Sequence, residues 1–305
     1  MDDKRVRQAL RLVLLNAEEN RADLGATGCD NRTHPVWDGG IVETCKDMIE
    51  GVLNHHFQAQ QDTFPYGQVE LLLRALVETK SGQEQVISDK ALAHFLDRLQ
   101  PVLVEWTEAG HRAIETPLTK ALRKAAVDAF EGAFGMWHER LGLELKPTPE
   151  MRAGLGKWAE RKVAELGAQV GQTTRKQIAG TITDGIQKGL SVRETMLSVR
   201  KYLRDTSRIA DRVETIARTE ASNAVNRSMF DANRLLGATG KRWDCSKDRS
   251  VCDACLRNDD EGPIPIEEAF LSGHRRPPAH PRCRCIVVYF GVTRESLVQA
   301  MGLVQ

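Results

Sequence analysis

Apolar residues recur every three or four positions along most of this 305-residue chain, a spacing typical of helices that bury one face. Near the N-terminus, Val6, Leu10 and Leu14 follow this spacing and predict a helix over residues 5–20. Glycine, asparagine and proline then predict a loop over residues 21–40. The same helical spacing continues to residue 141 and predicts helices over residues 41–60, 67–80, 88–99, 102–114 and 117–141.

The segment Lys146-Pro147-Thr148-Pro149 predicts a short linker, because the residue before each proline is disfavoured in a helix. We therefore expect a helical N-terminal region over residues 1–145, able to dock to a partner, followed by a second domain over residues 150–290. Residues 291–305 are then a C-terminal tail.

Long helices are also predicted at the start of the second domain. One or two helices cover residues 151–188, and a further long helix covers residues 209–236, with Gly237 as its stop. Between them, Ser191 and Glu194 have the spacing of a capping box that opens a helix reaching Tyr202.

After Gly240 the apolar pattern changes to alternation, which is typical of strands. We expect one strand over residues 241–246, a second over residues 285–290 that pairs with it, and a short helix near residues 266–271. The predicted fold class is mainly α: a helical N-terminal region, then a long-helix domain ending in a small β-containing Cys/His knuckle. We call residues 241–290 the knuckle.

Composition and charge narrow the classes of protein. Hydrophobic residues make up 41% of the chain and aromatic residues 5%, and no apolar run is long enough to span a membrane. The N-terminus lacks the apolar stretch of a signal peptide, so we expect none. The net charge is +1, but the charges are unevenly distributed along the chain. Residues 1–149 carry 17 basic and 23 acidic residues, whereas residues 150–236 carry 16 basic and 10 acidic residues. Such a division indicates either two faces for different partners or ordinary solvated helices.

The knuckle concentrates residues that bind metals. The candidate ligands are one C-x-x-C pair and one histidine-containing cluster, namely Cys252, Cys255, His280, Cys283 and Cys285. Thiolates and imidazoles arriving as two pairs are the ligands of tetrahedral structural zinc, so we predict zinc as the cofactor. Five candidates exceed four positions, and His280 could replace Cys283 or Cys285 if the chain turns at Pro281. The alternatives are small buried cysteines without a metal, or a disulfide.

A polar stripe on the predicted helix over residues 209–236 includes Arg218, Glu220 and Asn223. We predict that these residues form a polar network that clamps the knuckle onto this helix, with Arg218 or Glu220 hydrogen-bonded into it. The alternative is a solvated helix face.

These motifs occur in an order that carries a resemblance. The sequence Ile216-Ala217-Arg218-Thr219-Glu220 is followed by Gly240-Lys241-Arg242-Trp243, the C-x-x-C pair and finally Pro277-Pro278-Ala279-His280-Pro281-Arg282-Cys283-Arg284-Cys285. From about residue 171 to 290 the chain resembles the phage Mu protein F-like head morphogenesis family, the minor head proteins encoded beside the portal of tailed phages.

The resemblance implies a non-enzymatic virion component of a phage or prophage. Its expected partners are the portal or capsid proteins and the packaged DNA, and its expected location is the head interior, reached through the host cytoplasm during assembly. Its expected role is head morphogenesis or DNA delivery.

Two other functions compete with this one. A zinc-knuckle nucleic-acid-binding protein would use a cluster of arginines as phosphate contacts, namely Arg275, Arg276, Arg282 and Arg284. A zinc-dependent enzyme or toxin would need an open coordination position and an acid/base group, but no H-E-x-x-H sequence occurs. We therefore predict no catalytic residues.

Overall fold

The computed structural model describes residues 40–78, 87–142, 146–245 and 251–300. Within them the fold is mainly helical, with one small antiparallel sheet near the C-terminus, as predicted. The helices are α1 (Gly40–Thr63), α2 (Tyr66–Glu78), α3 (Asp89–Leu141), α4 (Pro149–Gln187), α5 (Val192–Leu203), α6 (Thr206–Leu235), α7 (Asp253–Asp260) and α8 (Arg294–Ala300). The predicted helix over residues 5–20 and nearly all of the predicted loop over 21–40 lie outside the described residues.

Helix α3 corrects one prediction, because it is continuous where three helices were expected. Pro101 and Pro117 both lie inside it. A proline removes one backbone hydrogen bond and usually bends or ends a helix. Here the apolar spacing continues across Pro101, since Leu99 and Leu103 are both fully buried. Burial of this continuous face outweighs the lost hydrogen bonds.

The described residues divide into two compact units by packing. The knuckle unit contains residues 40–49, 121–157 and 214–300, and the helical unit contains residues 50–120 and 158–213. Each unit therefore combines segments from both sides of the linker at residues 146–149. The domain boundaries expected from the sequence stay a prediction.

The helical unit has an apolar core to which α2, α3, α4 and α5 contribute. Helix α5 contributes one side of this core, and its sequence explains why. Ser191 and Glu194 form the predicted capping box, with each side chain bonded to the other residue's backbone N–H. Met196, Val199 and Leu203 then follow at helical spacing and are buried in this core.

The knuckle unit holds the sheet, whose strands are β1 (Gly240–Asp244), β2 (Ile264–Pro265) and β3 (Ile286–Phe290) in the order β2-β1-β3. The predicted pairing is confirmed: β1 and β3 are antiparallel, with Trp243 opposite Val287. Helix α6 ends before Gly237, which has a positive φ of 82° that few residues other than glycine adopt.

The short helix expected near residues 266–271 is not formed, and this prediction was wrong. The backbone N–H of Ile266 donates to Thr239 O, and that of Phe270 donates to His274 O. The Phe270 N–H would bond to Ile266 O in a helix, so its bond to His274 O replaces a helical one. A helix forms earlier instead, where α7 begins directly after Cys252.

Candidate metal centre

The C-x-x-C pair lies at the start of α7. Cys252 is the residue preceding the helix, with extended backbone angles of φ −81° and ψ 158°. Cys255 lies in the first turn and is completely buried. Residues three apart at a helix start lie on the same face, so both sulfurs point to the same side.

The second cluster meets this pair at Cys255. The Cys255 sulfur lies 3.4 Å from His280 Nε2 and 3.8 Å from the Cys283 sulfur. Around a tetrahedral zinc, two sulfurs are about 3.8 Å apart, and a sulfur and a nitrogen are about 3.6 Å apart. Both observed distances agree with this geometry.

All five predicted ligands belong to this centre. They form two groups that share Cys255: one contains Cys252 and His280, and the other contains Cys283 and Cys285. Within each group the donor atoms lie within 4.8 Å of one another. The cluster could hold a metal ion. Zinc as that metal, and the choice of four ligands, stay predictions.

His280 is oriented by its second ring nitrogen. Its Nδ1 lies 2.7 Å from the backbone oxygen of Pro281, a distance that assigns the proton to Nδ1. Nε2 then presents its lone pair towards Cys255. Histidines that bind metals usually donate their other N–H to such an acceptor. This bond fits a ligand role for His280.

The thiols influence one another's ionisation. Burial raises the pKa of Cys255 to about 12. The Cys285 thiol donates a hydrogen bond that lowers the pKa of Cys283, and the same contact raises the pKa of Cys285. These contacts favour ionisation of Cys283 over that of Cys255 and Cys285. A bound dication would stabilise further thiolates, so its affinity would depend on pH.

Helix α6 contacts the knuckle through Thr219 and Asn226. Thr219 Oγ1 accepts the backbone N–H of Arg282 at 3.0 Å, and Asn226 Nδ2 lies 3.5 Å from Cys285 O. Sequence reasoning selected the neighbours of Thr219 and not Thr219 itself. A hydroxyl between two charged residues gives little indication that it is the one facing the knuckle.

The predicted polar network has contacts along its own helix. Arg218 lies 3.9 Å from Glu214, and Asn223 Nδ2 lies 3.4 Å from Glu220 Oε2. Glu220 is buried, with an exposed fraction of 6%. That this network clamps the knuckle stays a prediction.

The arginines predicted to contact phosphate have acidic neighbours. Arg275 lies 3.9 Å from Glu267, and Arg282 lies 3.5 Å from Glu214. Burial lowers the pKa of Arg276, whereas Arg284 is exposed. The role of these four residues in phosphate binding stays a prediction.

Lys241 on β1 is a residue that sequence reasoning did not single out. It is fully buried, its ammonium donates to Arg275 O at 2.9 Å, and it lies between the rings of Phe230 and Phe270 at 5.1 and 5.2 Å. The alternating pattern contained the necessary information. Lys241 shares a strand face with the buried Trp243, because side chains two residues apart point the same way.

Comparison with known proteins places this centre in a family segment. Residues 176–288 match the model of the family described as Phage Mu protein F like protein. The segment includes Thr219, β1 and all five candidate ligands. It confirms the resemblance expected from the motif order over this part of the chain. No curated protein and no solved structure matches the chain.

The match indicates a protein of the phage head morphogenesis class. This class suggests a virion component with capsid-related partners. None of the helices in the described ranges combines the length and apolar character needed to cross a membrane.

Proposed function

We propose that this chain is a non-catalytic minor head protein of a tailed phage, associated with the portal or the inner capsid. The observation that carries this proposal is the junction of the two family motifs. Thr219 of the R-T-E motif bonds Arg282 of the H-P-R-C-R-C motif, and both lie in the matched segment. One three-dimensional unit therefore explains why the two motifs occur together.

The metal has a structural role in this proposal. Residues 256–279 contain only the rest of α7 and the two-residue strand β2 before long turns. A segment with so little regular structure is stabilised when a metal joins its ends, since metal-binding free energy becomes folding free energy. Five protein donors are enough to fill the four positions of a zinc ion, and a closed centre supports a structural and not a catalytic zinc.

The charge division of the sequence supports two kinds of partner. The acidic first half would contact the portal or capsid proteins, and the basic stretch over residues 150–236 would lie nearer the packaged DNA. The protein would be present in the host cytoplasm during assembly and in the head interior afterwards. A role in DNA delivery would follow from that position.

The test uses the full-length chain, because each compact unit contains residues from both sides of residue 145. The gene is deleted in the phage and complemented with a tagged copy, and DNA-filled heads are purified and treated with protease before immunoblotting. We expect the tagged protein in the heads and protected from protease. A protein that stays in the cytoplasmic fraction while normal infectious heads form would contradict the proposal.

The proposal that the protein has no catalytic activity is tested separately. The purified protein is assayed with nucleotide and peptide substrates, and no turnover is expected. Turnover that disappears in Cys252→Ser, but not in a Cys45→Ala control outside the metal cluster, would show that the centre is catalytic. The two parts of the proposal, incorporation into heads and absence of catalysis, can therefore be contradicted independently.

A further inference from the structure

A small cavity lies in the helical unit where α1, α4, α5 and α6 contribute side chains. Its volume is about 20 Å³, and its polar lining includes Arg208, Arg212, Tyr202, Thr174 and Gln60. A cavity needs roughly 10–15 Å³ to hold a water molecule, so this one admits a single small ion or water. Among the residues that the structure describes, no aspartate or glutamate lines it.

Arg212 is held in the wall of this cavity by neutral groups. Its Nη1 donates to Thr174 Oγ1 at 3.0 Å, and its Nη2 donates to Val170 O at 2.9 Å. Its guanidinium also lies 5.1 Å from the centre of the Phe57 ring. These contacts orient the charge without neutralising it, and burial lowers the pKa of Arg212.

Arg208 brings a second positive charge to the same cavity. Its guanidinium stacks on the Tyr202 ring at 3.5 Å, and its Nη2 donates to Tyr202 O. Within the described residues, Arg208 Nε and the Tyr202 hydroxyl are buried without a hydrogen-bond partner. The nearest acid in sequence, Asp205, is exposed, and its Oδ1 accepts the backbone N–H of Arg208 at 3.1 Å.

The two arginines are four residues apart on α6, a spacing at which like charges destabilise a helix. Arg208 and Arg212 are both half-buried, and charges that are removed from water are normally paired with an opposite charge. We propose that this cavity binds a monovalent anion of the size of chloride, held by Arg208, Arg212 and the Tyr202 hydroxyl. A space of about 20 Å³ suits one small ion.

The anion has a structural consequence. It would join the side chains of α5 and α6 through shared ionic hydrogen bonds, which are stronger than neutral ones. Chloride would therefore stabilise the folded protein saturably, because a ligand that binds only the folded state raises its stability by mass action.

The direct test is crystallography of the full-length protein in sodium bromide, with the bromide located by its anomalous signal. We expect a peak within hydrogen-bond distance of Arg208 and Arg212. An ordered water at this position, or bromide only on the outer surface, would overturn the proposal.

The solution test compares thermal unfolding in sodium chloride and in sodium gluconate at equal ionic strength. We expect chloride to raise the midpoint saturably by about 2–4 °C. The variant Arg212→Met, shown by circular dichroism to be folded, should lose this rise. The control Arg193→Gln removes an exposed arginine outside the cavity and should keep it. If Arg212→Met does not fold, Arg208→Gln takes its place. An equal chloride response in wild type and cavity variant would contradict the proposal.

Discussion

The hydroxyl of Thr219 accepts the backbone N–H of Arg282 at 3.0 Å and so joins α6 to the loop between His280 and Cys283. The Thr219 hydroxyl donates its own proton to Thr215 O at 2.6 Å, so its oxygen acts as the acceptor for Arg282. Arg282 has a φ of 60°, a left-handed conformation that costs a non-glycine residue about 1–2 kcal/mol. The bond from Thr219 helps to hold that conformation in place.

Thr219→Val should therefore loosen the loop that carries two of the candidate ligands. We expect a loss of about 1 kcal/mol in the free energy of unfolding and weaker metal binding, since the variant keeps the shape but removes the acceptor. Denaturant unfolding and competition with a chromogenic chelator measure the two effects. Thr219→Ser should retain both properties.

The matched control is Thr181→Val. Thr181 also donates its hydroxyl to the carbonyl four residues earlier, at 2.8 Å, but it lies in α4. If Thr181→Val weakens metal binding as much as Thr219→Val does, the effect comes from helix propensity and not from the bond to Arg282.

The helices could be predicted because their apolar faces are local and periodic. The start of α5 followed from Ser191 and Glu194, whose capping contacts lie within four residues of each other. The continuity of α3 could not be predicted in this way. Whether a helix continues through Pro101 depends on burial of Leu99 and Leu103 by residues distant in sequence, and local preference alone favours a break.

The sequence was sufficient to select the five candidate ligands that the structure brings together, but not the residues of α6 that contact them. Cysteine and histidine spacing pointed to all five donors. The bond between Thr219 and Arg282 was not anticipated, because the rotation of a helix about its axis depends on the packing of both partners. The burial of Lys241 was not predicted, because lysine is seldom fully buried.

A close approach of α4 to His111 gives a stability prediction. A methyl group at Gly167 would lie 1.8 Å from His111 Nδ1 and 1.9 Å from its Cε1, whereas one at Gly180 meets nothing within 4 Å. Both glycines lie inside the same helix. Gly167→Ala should destabilise the protein by about 1–3 kcal/mol through overpacking.

Gly180→Ala is the control and should stabilise the protein by about 0.5–1 kcal/mol, because alanine favours the helix. Denaturant unfolding of both variants gives the comparison. Two stabilising substitutions would mean that His111 moves aside without cost.

His56 gives a pH prediction for the helical unit. Burial lowers the pKa of His56 from 6.5 to about 4, and the neighbouring His111 and Arg212 lower it further. The unfolded chain therefore binds more protons than the folded chain between about pH 6.5 and pH 4. The free energy of unfolding should fall as the pH drops through this window, by up to about 3 kcal/mol from this group.

The variant His56→Gln should flatten the dependence of the unfolding midpoint on pH between 6.5 and 4. His94→Gln removes an exposed imidazole of the same unit and is its control. Equal slopes for the wild type and His56→Gln would show that the buried imidazole does not contribute to acid sensitivity.

The last prediction concerns which residues bind the metal. Cys255 belongs to both groups of donors, so Cys255→Ala should abolish binding. The bond from His280 Nδ1 to Pro281 O already aims Nε2 at the centre. We therefore expect Cys252, Cys255, His280 and Cys283 to bind about one zinc per chain. The Cys285 thiol would then remain a hydrogen-bond donor to Cys283.

Elemental analysis after purification without chelator measures the stoichiometry, and cobalt substitution distinguishes three thiolate ligands from four by the intensity of the sulfur-to-cobalt absorption. His280→Ala should weaken binding by at least tenfold, because an open position replaces a ligand that the backbone has oriented. Cys285→Ala should keep both the stoichiometry and the cobalt spectrum, as should Cys45→Ala, whose sulfur lies in α1 outside the cluster. The opposite pattern, with His280→Ala silent and Cys285→Ala defective, would assign the site to four cysteines. Protein that carries no metal would instead leave Cys252, Cys255, Cys283 and Cys285 as thiols without a shared ion.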